Sequence, residues 1–198
     1  MKHRTLRLVN LLPILAMLLA AITLTGCEGG NDGTSAPATS QALPSIQPDI
    51  SPHDSIIQTL KIRLFDEPDN DALLSALGDA YFGARQFKES ISIYKKAIAI
   101  NPGNYDALND LGLAYFYTGN TEVALDSLER STTANPDYKF AWLSKGFILT
   151  STGRFDEAKA ALHKAKELDP NGNIGIEADN FLRQIEEMKA KLVDVGGQ

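Results

Sequence analysis

The stretch GNYDALNDLGLAYFYTGNTEVALDSLERSTTANP, residues 103–136, decides the fold, because its landmarks return at a fixed distance on either side. Pro68, Pro102, Pro136 and Pro170 are each 34 residues apart, Gly78, Gly112 and Gly146 keep the same period, and so do Ala97, Ser131 and Ala165. A fixed period of this length is the signature of a stacked array in which one structural unit is repeated along the chain.

Within the quoted unit Leu108, Leu111 and Tyr115 recur at helical spacing, as Leu74, Leu77 and Tyr81 do one period earlier. The second halves of the units carry their own apolar stripes, Ile91, Tyr94 and Ile98 in one and Leu125 and Leu128 in the next. Each unit therefore reads as two helices joined by a tight turn at Arg85-Gln86, Gly119-Asn120 or Gly153-Arg154. The prolines have no N–H to continue the second helix, so each closes a unit. A mid-helix glycine costs about 1 kcal/mol relative to alanine. Close packing of the paired helices must offset it, and Ala124 and Ala158 are the expected small residues opposite. Asp69, Asn70 and Asn104 are ready to cap the first helices that follow them.

These columns resemble the tetratricopeptide repeat over residues 71–172, as three full units, 71–104, 105–138 and 139–172. The resemblance rests on Leu111-Gly112 with Tyr115, Trp142 with Gly146, Ala124 and Ala158, and the closing pairs Asn101-Pro102, Asn135-Pro136 and Asp169-Pro170. Ser90 departs from the alanine column, Thr121 from the aromatic column of Phe87 and Phe155, and Lys145 from the leucine column of Leu77 and Leu111. The third unit is expected to pack less tightly near Lys145.

The ends of such an array need caps, since one unit cannot bury its apolar face alone. Ile174, Ala178, Phe181, Ile185, Met188 and Leu192 form a stripe on one further helix, about 174–192, whose other face is charged. Ile56, Ile57, Leu60 and Leu64 precede Pro68 at the repeat phase, so residues 52–66 read as the second helix of a degenerate unit. The expected fold is an all-α superhelix of stacked antiparallel helix pairs spanning residues 51–198.

Upstream the composition changes. Lys2, Arg4 and Arg7 precede an apolar stretch from Leu11 to Leu24, and no acidic residue occurs before Glu28. The stretch is shorter than the roughly 20 apolar residues a bilayer span needs and fits the core of an export signal. Leu24-Thr25-Gly26-Cys27 resembles the lipobox of bacterial lipoproteins. That resemblance implies a signal peptide over residues 1–26, cleaved before Cys27, and a diacylglycerol on the Cys27 thiol. Cys27 is the only cysteine, so the mature chain would hold no free thiol in an oxidising compartment. Residues 27–50 are rich in Gly, Ser, Thr, Ala and Pro and read as a flexible tether with a reach of about 25–30 Å. The implied location is the bacterial cell envelope, lipid-anchored at the periplasmic side of the outer membrane, with Glu28 after Cys27 leaving the inner membrane open.

No pattern for catalysis, a metal or a cofactor is present in the sequence. His53 and His163 stand apart with no ligand spacing around them, and the acidic run Asp66 to Asp71 lacks the glycine and distal glutamate of a calcium loop. Three of the 19 basic residues lie in the signal-like segment and none of the 25 acidic ones does, which leaves the mature chain at −9. Such a chain, without a basic stripe, is a poor partner for nucleic acid.

In tetratricopeptide arrays the first helices line a concave groove for a partner peptide or helix. The resemblance places Asp79 and Phe82, then Asp106, Asn109, Leu113, Phe116 and Tyr117, then Phe140 and Phe147 in those columns. The carboxylate clamp of chaperone-binding members uses lysine, asparagine and arginine, where this chain has Ser75, Asp79, Asp110, Phe140 and Ser144. The groove is expected to be aromatic and mildly acidic, suited to an apolar or basic protein segment. The implied role is a non-enzymatic, membrane-anchored adaptor. Narrower versions are an assembly factor of the pilotin type for pilus or secretion components, or a self-associating structural lipoprotein.

Overall fold

The computed structural model of the chain describes residues 51–196, so the signal-like segment, Cys27 and the tether lie outside the described residues. Among the described residues there are eight α-helices and no strand: α1 (Pro52–Asp66), α2 (Asp71–Gly83), α3 (Phe87–Ile100), α4 (Tyr105–Tyr117), α5 (Thr121–Ala134), α6 (Lys139–Ser151), α7 (Phe155–Leu168) and α8 (Asn173–Gly196). Local chemistry sets several of the boundaries. Asn70 and Asn104 accept the backbone N–H groups of Leu73 and Ala107, each at 3.0 Å, and so satisfy donors that the first turn leaves unpaired. Asn70, not Asp69, makes the α2 cap. At the turn inside each unit, Gly119 and Gly153 have φ of 82° and 75°, and Arg85 takes the same left-handed conformation at 60°. A side chain there costs about 1–2 kcal/mol, which makes the first unit's turn the strained one.

Each first helix packs along the second helix of its own unit, α2 on α3, α4 on α5 and α6 on α7. A Cβ added at Gly78 would fall 2.4 Å from Cε1 of Tyr94, one at Gly112 2.9 Å from Cγ of Leu128, and one at Gly146 2.5 Å from Cδ2 of Leu162. The residue opposite each glycine is thus a large side chain one turn beyond the alanine column, a correction to the expected glycine–alanine pairing. Ala124 meets Gly112 only through its carbonyl oxygen, at 3.0 Å from such a Cβ. Ala124 and Ala158 are fully buried and let the second helix come close, and Tyr94, Leu128 and Leu162 then fill the space over the glycines.

Consecutive first helices touch along the stack, α2 with α4, α4 with α6 and α6 with α8, while consecutive second helices stand further apart. The stack therefore curves with its first helices on the inner face. Its core is shared between units. Leu74, Tyr94, Leu108 and Leu111 pack together across the first and second, and Leu128, Leu143, Ile148, Leu162 and Ile174 across the second, the third and the cap. Lys145 is half-buried, its ammonium over the Trp142 ring at 5.5 Å and paired with Glu129 of α5.

The eighth helix closes the array. Ile174, Ala178 and Ile185 are buried, and Phe181 is half-buried against the same core. The expected stripe stops short, because Leu192 is 63% exposed. Among the described side chains of α8, Lys189 makes the last ion pair to the array, with Asp156 at 2.7 Å, and Leu192 lies beyond it in sequence. Asp179, Asn180 and Arg183 occupy the columns that Leu111, Gly112 and Tyr115 hold in α4. Another second helix could not approach Asn180 as α5 approaches Gly112, so stacking ends there.

Asp169 ties this cap down. Its side chain pairs with Lys139 at 2.9 Å and accepts the Ile174 N–H at 3.2 Å, and Lys139 first, then that N–H, hold its carboxyl below the usual range. The stability this supplies is complete above the ordinary carboxylate pKa and is lost as pH falls through the lowered folded value. Relative to the intrinsic rate at each pH, amide exchange in the first turn of α8 is expected to lose protection as pH falls below the ordinary carboxylate range. Asp169→Asn is expected to make that exchange faster at neutral pH and to flatten its acid dependence. An unchanged pH profile would remove Asp169 as the cause.

Candidate functional site

The inner face is built from the same columns on successive first helices, with Asp79 and Phe82 on α2, Asp106 to Tyr117 on α4, and Phe140 and Phe147 on α6. Toward the ends of these helices the aromatic rings form one continuous run. Phe82 meets Tyr117 edge-on at 5.6 Å, Tyr117 meets its neighbour Phe116 at 5.8 Å, Phe116 meets Phe147 at 5.4 Å, and Phe147 meets Phe181 of α8 at 5.8 Å. Phe87, the first residue of α3, stacks on Tyr117 at 5.0 Å and closes the run at the first unit. All of these rings are half-buried, so each is held by packing on one side and offers surface on the other. Burial raises the Tyr117 phenol above its ordinary value, opposed in part by Arg85 at the strained turn. A second cluster, Tyr105, Tyr138 and Phe140, stands at the opposite ends of α4 and α6, with ring centroids 4.8 and 5.4 Å apart.

The polar residues of the expected groove are more deeply engaged than their columns suggest. Asp79 accepts a hydrogen bond from the Tyr94 hydroxyl at 2.8 Å. Burial, with the Asp110 and Asp79 carboxylates beside it, pushes the Tyr94 phenol well above its ordinary value, so it stays a donor. Asp106 accepts from the Tyr138 hydroxyl. Asn109 is only 4% exposed and donates to Asp110 at 2.9 Å, so it supports the inner face and does not line it. Asn109 alone departs from the three expected groove-lining polar side chains; Asp79 and Asp106 are half-buried on the inner columns. Leu113 and Phe140 are half-buried on the inner columns.

Two residues of the aromatic run were not among those expected. Phe181 stands one period after Phe147, so the repeat phase carried a signal for it. Phe87 belongs to a second helix, and only the fold brings it beside Tyr117. The histidines are on different helices: His53 of α1 lies against Gly83, and His163 of α7 is exposed. No group of three metal-binding side chains occurs among the described residues.

The family model for the tetratricopeptide repeat matches residues 75–139 and 109–173, together half of the chain. The chain belongs to the tetratricopeptide repeat family. No curated protein matches it. Among solved structures, the first tetratricopeptide domain of Spaghetti (RPAP3) bound to the HSP90 peptide SRMEEVD is 28% identical; the match covers 61% of this chain and 93% of that one, with a TM-score of 0.56. MamA is 27% identical over 70% of this chain and 91% of its own, with a TM-score of 0.57. The Sgt2 domain from Aspergillus fumigatus is 27% identical over 61% and 82%, with a TM-score of 0.55. As a tetratricopeptide repeat array, the protein has the architecture of an interaction scaffold.

Proposed function

We propose that the protein is a lipid-anchored adaptor of the bacterial envelope whose inner face takes an apolar or basic segment of a protein partner. The observation that carries the groove reading is the aromatic run from Phe82 to Phe181, which crosses the first helices of every unit and the cap. Half-buried aromatic rings held on rigid helices supply large contact area at little entropic cost, and such residues dominate binding energies. The solved relative bound to SRMEEVD takes an acidic peptide. The inner columns of this chain carry Asp79, Asp106 and Asp110 and no lysine or arginine, which favours a segment of the opposite sign. The anchor rests on Leu24-Thr25-Gly26-Cys27 behind a short apolar core and a basic start. Two or more acyl chains hold a protein at a membrane stably where a single one does not.

Two measurements test the two halves of this reading. Cys27→Ser is expected to abolish acylation and to leave the protein unprocessed or released from the membrane fraction, and intact mass spectrometry of the wild type is expected to show an acylated Cys27. A wild-type chain with an unmodified Cys27 contradicts the anchor without touching the groove. Affinity capture from envelope extract is expected to bring down a partner whose bound segment is apolar or basic; a bound segment that is acidic contradicts the groove chemistry without touching the anchor.

A further inference from the structure

The first described helix departs from the others on the face it turns to solvent. Where α3, α5 and α7 carry Lys96, Arg130 and Lys164, α1 carries Ile62, and where they carry Ala99, Thr133 and Glu167, it carries Phe65. Ile62 is 69% and Phe65 88% exposed. Beside them Ile100 is 42% exposed, and a cleft of about 600 Å³ between α1 and α3 has an apolar floor of Leu74, Leu77 and Tyr81. The Lys61 ammonium lies 5.6 Å from the centre of the Tyr81 ring at its edge. The surrounding charges balance, Lys61, Arg63 and Lys96 against Asp66, Glu67 and Asp69, although the mature chain as a whole is strongly negative. This is the outer, second-helix side of the stack, facing away from the aromatic run.

We propose that the outer face of α1, centred on Ile62 and Phe65, rests on the membrane to which Cys27 is anchored, and so turns the aromatic inner face outward to partners. The proposal rests on the anchored reading of Cys27. Position and charge single out the membrane as the occupant. Residues 28–51 are all that separates Cys27 from the start of α1, a tether of about 25–30 Å reach. Along the chain, α1 is the helix nearest the anchor. An aromatic and an aliphatic side chain flanked by long cationic ones suit the boundary between headgroups and acyl chains, where lysine and arginine stems lie along apolar surface. The local balance of charge spares this face the repulsion that the acidic remainder would meet at an anionic surface. Two side chains bind lipid weakly, but a tether turns the contact into an intramolecular one at an effective concentration near the millimolar range, where weak contact suffices.

Hydroxyl-radical footprinting reads these side chains directly. The acylated protein is placed in phosphatidylethanolamine–phosphatidylglycerol vesicles and compared with the mature chain carrying Cys27→Ser, expressed without residues 1–26. Oxidation of Phe65, Ile62 and Ile100 is expected to fall several-fold on vesicles while Tyr117 and Phe147 keep their labelling. Ile62→Lys combined with Phe65→Thr gives these columns residue types found in α3 and α5. It is expected to leave the fold and the anchor intact but to restore labelling of Ile100 on vesicles. A second arm couples Cys27 of the mature chain to a maleimide phospholipid, so that failure of natural acylation is separated from failure of the contact. Equal labelling of Phe65 on and off vesicles in the coupled arm overturns the proposal. Protection already present in the soluble chain, with a doubled mass in sedimentation, overturns it in favour of a second copy.

Discussion

Gly112→Leu lowers the thermal midpoint of the array by several degrees, and it does so by forcing α4 away from α5. Even the first added atom has no room: a Cβ at Gly112 would stand 2.9 Å from Leu128 Cγ and 3.0 Å from the Ala124 carbonyl oxygen. Leu128 is fully buried, and the carbonyl belongs to helix backbone, so neither neighbour can yield without moving α5. Overpacking of this kind costs about 1–3 kcal/mol. The damage is expected to spread, because α4 touches both α2 and α6 and the units share their core. Gly103→Ala is the internal control. Its only neighbour within 4 Å would be the Asn101 side chain at 3.7 Å, and the change should stay within about 0.5 kcal/mol. Thermal melts of the two variants check both expectations; equal midpoints would mean that α4 and α5 do not meet at Gly112.

Replacing Phe116 and Tyr117 together with leucine weakens partner capture by roughly 30-fold or more, the equivalent of about 2 kcal/mol. Leucine is chosen because both rings are packed as well as displayed. Tyr117 stacks on Phe87 and Phe116 meets Phe147, so alanine at both positions would lower stability along with binding. Leucine retains apolar volume and removes the ring faces. Asp79→Ala does more than remove a charge. Asp79 accepts from the hydroxyl of Tyr94, whose ring lies against Gly78, and alanine takes that acceptor away from the first unit's core. A titration of the captured partner against wild type and the leucine pair, each checked by circular dichroism, decides the matter. Undiminished binding by a folded leucine pair would place the contact elsewhere.

The helices were legible because proline, glycine and apolar residues recur with one period, and each has a local physical meaning that needs no knowledge of distant contacts. The inner columns were legible for the same reason. Depth was not. The columns give the side a residue faces but not whether a partner from another helix covers it: Asn109 faces inward and is buried, and Asp79 and Asp106 are engaged by tyrosines 15 and 32 residues away along the chain. Phe87 reaches the aromatic run from a second helix, a juxtaposition that only the packing of α3 against α2 and α4 creates. Leu192 kept the stripe's spacing past the last neighbour α8 can lean on.

The most direct test of the inner face as the working surface is a photocrosslinking amino acid placed at Leu113, with the same group at Ala160 on the solvent side of α7 as the comparison. In native envelopes the residue at position 113 is expected to give a discrete adduct with a partner protein, and the one at 160 none. Adducts from position 160 alone would contradict an adaptor that works through its concave face.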